Sequence, residues 1–191
     1  RDRGTGTVDT NAALTVEGAI SLDEISAPSN TASRGQLYTN ADNHLHFING
    51  AGTDIKVTEE VFIVALSDHS TDLTASTTTS VASLIMPFSM TITEVSAFVN
   101  TASSGATIIV DIHKLAYASG NYSGTASTIF GSPKITIDAG EKNSASATPN
   151  SINAGTPVSV DQHDELTFFI DQVGSSTKGK GLKVIIKGVR A

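Results

Sequence analysis

The chain has 191 residues, 12 basic against 19 acidic, for a formal net charge of −7. That sign is wrong for a protein that neutralises phosphates, so nucleic acid is not an expected partner. With no cysteine, disulfides, thiolate metal sites and Cys nucleophiles are excluded, and stability must come from packing or oligomerisation.

In chain order, residues 1–57 carry only short extended pieces, at 14–20, 35–40, 44–49 and 53–57, separated by turn signals such as APSN and GAGT. Too little apolar material is present for an independent core. This region reads as shaft-like or intertwined β structure that buries Leu14, Val16, Ile20, Leu37 and Phe47 against identical copies. RDRGTGTVDTNAALT has no apolar stretch of signal-peptide length. The lack of Met at position 1 leaves a fragment and a secreted origin open.

Residues 60–191 hold eight candidate strands, at 61–67, 81–87, 90–100, 106–114, 133–138, 152–160, 165–173 and 182–189. Thr, Ser, Val and Ile dominate, no window repeats apolar residues at helical spacing, and short apolar or alternating runs recur between Gly, Asn, Asp and Ser clusters. TITEVSAFVN and PKITID alternate as strands with one wet face do, whereas IIVDI and LTFFI read as more fully buried. The expected fold is all-β, an eight-stranded antiparallel jelly-roll sandwich after a short shaft-like region. VFIVAL and ELTFFI are too short to cross a bilayer as helices, and no membrane insertion is expected.

The segment EISAPSNTASRGQLYTNADNHLHFINGAGTDIKV at 24–57 resembles one common in tailed-bacteriophage tail-fibre and other virion proteins, where it follows a repetitive shaft and precedes a terminal domain. VALSD, MPFSMTITEVSAFVNTASSGATIIVDIHK, KITIDAGEK and GLKVIIKGVRA resemble the C-terminal β-sandwich of the same proteins. Against that pattern, LAYASGNYSGTAS at 115–127 looks like an insertion. The resemblance implies a fibre or spike component on the virion exterior, a homotrimer whose partners are other virion proteins and a host surface glycan. Tail fibre, head fibre and capsid decoration are not separated by it.

The chemistry-bearing clusters are few. GSSTKGKG at 174–181 approaches a phosphate loop through Gly174, Gly179 and Lys180, but Gly181 stands where Ser or Thr should reach magnesium, and a strand follows where a helix is needed. His44 and His46, two apart on one strand face, are the one metal-ligand pattern; in a trimer they would offer six imidazoles, but the preferred reading is a turn-flanking pair and no metal. Asp161, His163, Asp164 and Glu165, with Asp111 and His113, invite a hydrolase reading, yet no GxSxG or HExxH accompanies them. DQHD is read instead as a turn whose Asp side chains bond the backbone. Tyr117, Asn121 and Tyr122 in the insertion are candidates for glycan or subunit contact, because aromatic faces and planar amides suit sugars.

No enzyme activity and no cofactor are expected; the alternative function is a carbohydrate-binding module of a secreted bacterial protein. Strand alternation further predicts that the connections at 68–80, 101–105, 139–151 and 174–181 share the end far from residue 58, and that the 115–127 insertion lies at the other.

Overall fold

A computed structural model describes residues 22, 25–29, 34–40 and 44–191, which divide into two units at Val57/Thr58. The described residues are strand, turn and bend with no helix. The fold is all-β, and every strand pairing is antiparallel.

In the first unit β1 (Gln36–Thr39), β2 (Leu45–Ile48) and β3 (Asp54–Lys56) form a meander in that order. Asn49 closes the β2–β3 turn, its side-chain oxygen accepting from Ala51 N and Thr53 N. The register aligns Leu37, Phe47 and Ile55 across one face and Tyr38, His46 and Lys56 across the other. Leu14, Val16 and Ile20 lie outside the described residues.

The second unit stacks two sheets on one core. The first sheet runs β12 (Val158–Val160), β6 (Met90–Phe98), β14 (Lys183–Arg190), β4 (Glu59–Ala65). The second runs β7 (Ile108–Leu115), β13 (Glu165–Gln172), β5 (Ala82–Ile85), with β10 (Ser127–Thr128) and β11 (Ile135–Ile137) sharing the outer edge of β7. A hairpin of β8 (Tyr117–Ala118) and β9 (Asn121–Tyr122) stands apart.

Alternation decides what each sheet buries. Met90, Ile92, Val95, Ala97, Val184 and Ile186 from the first sheet meet Ile108, Val110, Ile112, Leu166, Phe168 and Ile170 from the second in one cluster. Ile92 and Val95 are three apart yet both face inward, because β6 carries an extra residue at Thr93–Glu94 opposite Lys187 and Gly188.

Most predicted strands are found with ends shifted by a few residues, but 152–160 is a correction. Residues 151–155 are turn, held by Ala154 N to Asn150 O and Gly155 N to Ile152 O, and only Val158–Val160 is strand. The apolar Ile152 that prompted the longer assignment is 1% exposed, a turn residue pointing into the core.

Register also sorts the connections. Glu59, Met90 and Arg190 align at one end of the first sheet, Ala65, Phe98 and Lys183 at the other. The segments after β4, β6, β11 and β13 therefore leave at the far end, and hydrogen bonds tie them together. Leu73 N donates to Gly179 O, Ser104 N to Thr177 O, Gly140 N to Ser103 O and Gly181 N to Asp68 O. The insertion and the 161–164 turn lie at the Thr58 end, as strand direction predicts.

At Gly188 the chain passes so close to β6 that a Cβ would lie 2.3 Å from Thr91 O and 2.4 Å from Met90 Cε. Backbone cannot move aside as a flexible side chain can. Gly188→Val is expected to destabilise the second unit by about 1–3 kcal/mol or more, read as a lowered midpoint in urea, with the first unit's signals unchanged; an unchanged midpoint would show that β14 is not held this tightly.

Candidate functional site

Three places in the second unit concentrate polar and aromatic side chains, and strand alternation explains each. The first is the outer face of the second sheet. Asp111 and His113, two apart on β7, both point outward, yet Asp111 is 2% exposed because the segment carrying Thr128 and Lys134 covers it. Its carboxylate accepts from four donors: Ile112 N at 2.8 Å, the Thr128 hydroxyl, His113 Nε2 at 3.0 Å and Lys134 Nζ at 2.6 Å. Lys134 also reaches Asp171 at 2.6 Å, and the His113 ring lies on Phe169 with centroids 4.6 Å apart.

Burial alone pushes the Asp111 carboxyl up, but the hydrogen bonds from Lys134, Thr128 and His113, with the Lys134 charge, outweigh it and hold the group below its ordinary 3.8. Lys134 is likewise lowered by burial and raised further by Asp111 and Asp171, for a net shift above 10.5. A base needs a lone pair to offer, and the Asp111 oxygens are occupied. The cluster pins the 128–134 segment to β7.

The second place is the Thr58 end. β8 and β9 form a two-residue hairpin through Ser119 and Gly120, both at positive φ (52° and 82°), a turn whose twist matches antiparallel strands. Tyr117 packs edge-on against Tyr122 at 5.4 Å and against His163 at 5.3 Å, and its backbone N donates to Asp164 Oδ1. Asp164, 1% exposed, also accepts from Asp161 N, so the DQHD segment is the backbone-bonded turn expected. Tyr117 is thus half-buried, Tyr122 is 38% exposed, and Asn121 caps Tyr122 N within its own hairpin. Burial and the charge of Glu165 hold the Tyr122 hydroxyl above its ordinary value. Asp164 lies near Lys114, whose side chain faces away from Asp111 and His113, so the two acid–imidazole groups of the sequence are separated by the sheet.

The third place is the far end, where Phe98 closes β6 on the outer face at 41% exposure. On one side lies a groove of about 330 Å³ between β6 and residues 144–153; on the other, a depression of about 180 Å³ beside His69, Asn100 and Lys183. Sequence reasoning passed over Phe98 because it sits inside a clean strand pattern. Its position two residues beyond Ser96 on the wet face was the available signal.

The remaining candidates separate. In the 174–181 loop, Ser176 N and Thr177 N donate to Ser104, so these amides hold a loop to its neighbour and form no phosphate cradle. In the first unit His46 is 5% exposed and bonds Asp54 Oδ1 at 3.0 Å through Nδ1, beside Tyr38, whose hydroxyl donates to Asp54 Oδ2 at 2.8 Å. His44 lies just outside β2. Among the described residues no group of three or more His, Asp or Glu is placed to hold a metal ion.

No family model, curated protein or solved structure matches the chain.

Lys134→Met leaves two carboxylates without their cation. Because Lys134 is 34% exposed, the expected cost is about 1–3 kcal/mol, below that of breaking a fully buried pair. A lowered folded-state value means that Asp111 contributes stability above pH 3.8 and loses it as pH falls through the lowered value. Acid unfolding followed by circular dichroism should therefore shift to higher pH in the variant; an unmoved acid transition would show that Lys134 does not stabilise the Asp111 charge.

Proposed function

We propose that this chain is a non-enzymatic component of a bacteriophage fibre or spike, a homotrimer on the virion exterior that serves host attachment or decoration. In this reading residues 1–57 form the shaft-like, self-associating part and residues 60–191 a jelly-roll head. Numbering the head strands 1–8 as β4, β5, β6, β7, β11, β12, β13 and β14, the sheet orders are 6-3-8-1 and 5-4-7-2. Two interleaved Greek keys of this kind support a jelly roll.

The observation that carries the proposal is the apolar face of the first unit. Leu37 is 61% exposed and Ile55 47%, aligned through half-buried Phe47, and Val57 beside them is 52% exposed. A three-stranded meander cannot afford such a face alone, and burial against identical copies removes it from water. On β4, Val61 at 50% and Ile63 at 66% add exposed apolar surface to the unpaired outer edge of the first sheet.

A carbohydrate-binding module of a secreted protein would act as a monomer and leaves that face without purpose. Native mass spectrometry at micromolar concentration should give three times 19.7 kDa, and Leu37→Asp with Ile55→Asp should reduce it to one while the second unit still melts cooperatively. A folded monomer for the unmodified chain would overturn the proposal in favour of the module.

A further inference from the structure

Phe98 is an exposed aromatic ring standing between two depressions, and the groups around it are of two kinds. The 330 Å³ groove beside Phe98 is lined by apolar Ala145, Ala147 and Pro149 and by polar groups that include Ser96 and Glu94. The Ser96 hydroxyl makes no hydrogen bond to any described residue, and Glu94 Oε2 accepts from Lys187 Nζ at 3.0 Å while Oε1 remains available. Across the ring, Lys183 has no acidic partner among the described residues and sits with His69 and Asn100 on a protein of net charge −7. A shallow slot with an aromatic wall, open hydroxyl and carboxylate acceptors, and a basic neighbour matches one ligand chemistry. A sugar ring presents C–H groups to the aromatic face and hydroxyls to planar or hydroxyl partners, and an acidic sugar adds a carboxylate for the ammonium.

We propose that Phe98 is the stacking platform of a saccharide site, with one pyranose in the groove against Ser96 and Glu94 and the carboxylate of a neighbouring acidic sugar at Lys183. The site lies at the end of the sandwich opposite Thr58, among the segments tied together there, whereas the Tyr117–Tyr122 pair lies at the Thr58 end with Tyr117 already packed on both sides. Phe98 has an open slot on either side. The inference rests on reading the second unit as an exterior head.

Ligand-observed NMR on the intact chain, with oligomers of glucuronic acid and with neutral glucose oligomers as probes, tests it. Binding of the acidic oligomer is expected, weakened at least tenfold by Phe98→Ala and retained by Phe98→Tyr. Lys183→Gln is expected to remove the preference for the acidic over the neutral oligomer. All three variants should keep the parent melting temperature and mass, since both side chains are at least partly exposed. Absence of binding by either oligomer, or binding untouched by Phe98→Ala, would overturn the site while leaving the trimer measurement to judge the fibre reading separately. A fall in oligomer mass on Phe98→Ala would instead assign the ring to contact between copies and overturn the saccharide proposal.

Discussion

The placement of β14 between β4 and β6 governs the second unit. Lys183 aligns with both Ala65 and Phe98, and Arg190 with Met90, so this one strand sets the height of both neighbours. Val184, Ile186 and Gly188 face the core side, and the last of these permits the close approach that the Thr93–Glu94 bulge demands. Because strand period is two, the same register sends Phe98, Ser96 and Glu94 outward beside Lys183, Ile185 and Lys187. A slip of one residue would bury Phe98 and expose Val95 and Ala97. The groove beside Phe98 is therefore a consequence of core packing on the opposite face.

The second sheet solves a different problem. β7 needs an outer neighbour along its whole length, and β10 and β11 supply it in two pieces, pairing with its Leu115 half and its Ile108 half in turn. Between them the chain crosses Asp111, where Thr128 and Lys134 turn an outward carboxylate into a buried one. The charge is compensated on every oxygen, which makes its burial tolerable. The arrangement that gave the sequence its hydrolase-like appearance thus holds an edge segment in place.

The two units invert one another. In the second, most apolar side chains face inward and most polar ones outward, with exposed Val61, Ile63, Ile85 and Phe98 and buried Asp111 and Asp164 among the exceptions. In the first, Tyr38, His46 and Ile48 are buried and the Leu37–Phe47–Ile55 row carries the exposed apolar surface. That row is the surface on which the proposed self-association rests.

The residue pattern by itself determined the all-β class, the positions of most strands of the second unit and the sorting of connections to two ends, because side-chain period and antiparallel reversal are local rules that tertiary context seldom breaks. TITEVSAFVN shows its wet and dry faces to within one bulge, and DQHD shows its turn. Tertiary structure alone decided which strands are neighbours, and with that the partners of every outward group. Nothing local relates Lys134 to Asp111 and Asp171, or Tyr117 to His163, since each contact joins distant segments through the order of strands in a sheet. Ile152 gives a strand signal although it lies in a turn, because an apolar residue in a buried turn carries the same pattern as one in a buried strand. Phe98 has the pattern of an ordinary strand residue; the groove beside it is formed by residues 144–153, which hydrogen-bond to Val95 and Ala97 of β6 from a distant part of the chain that no sequence window contains.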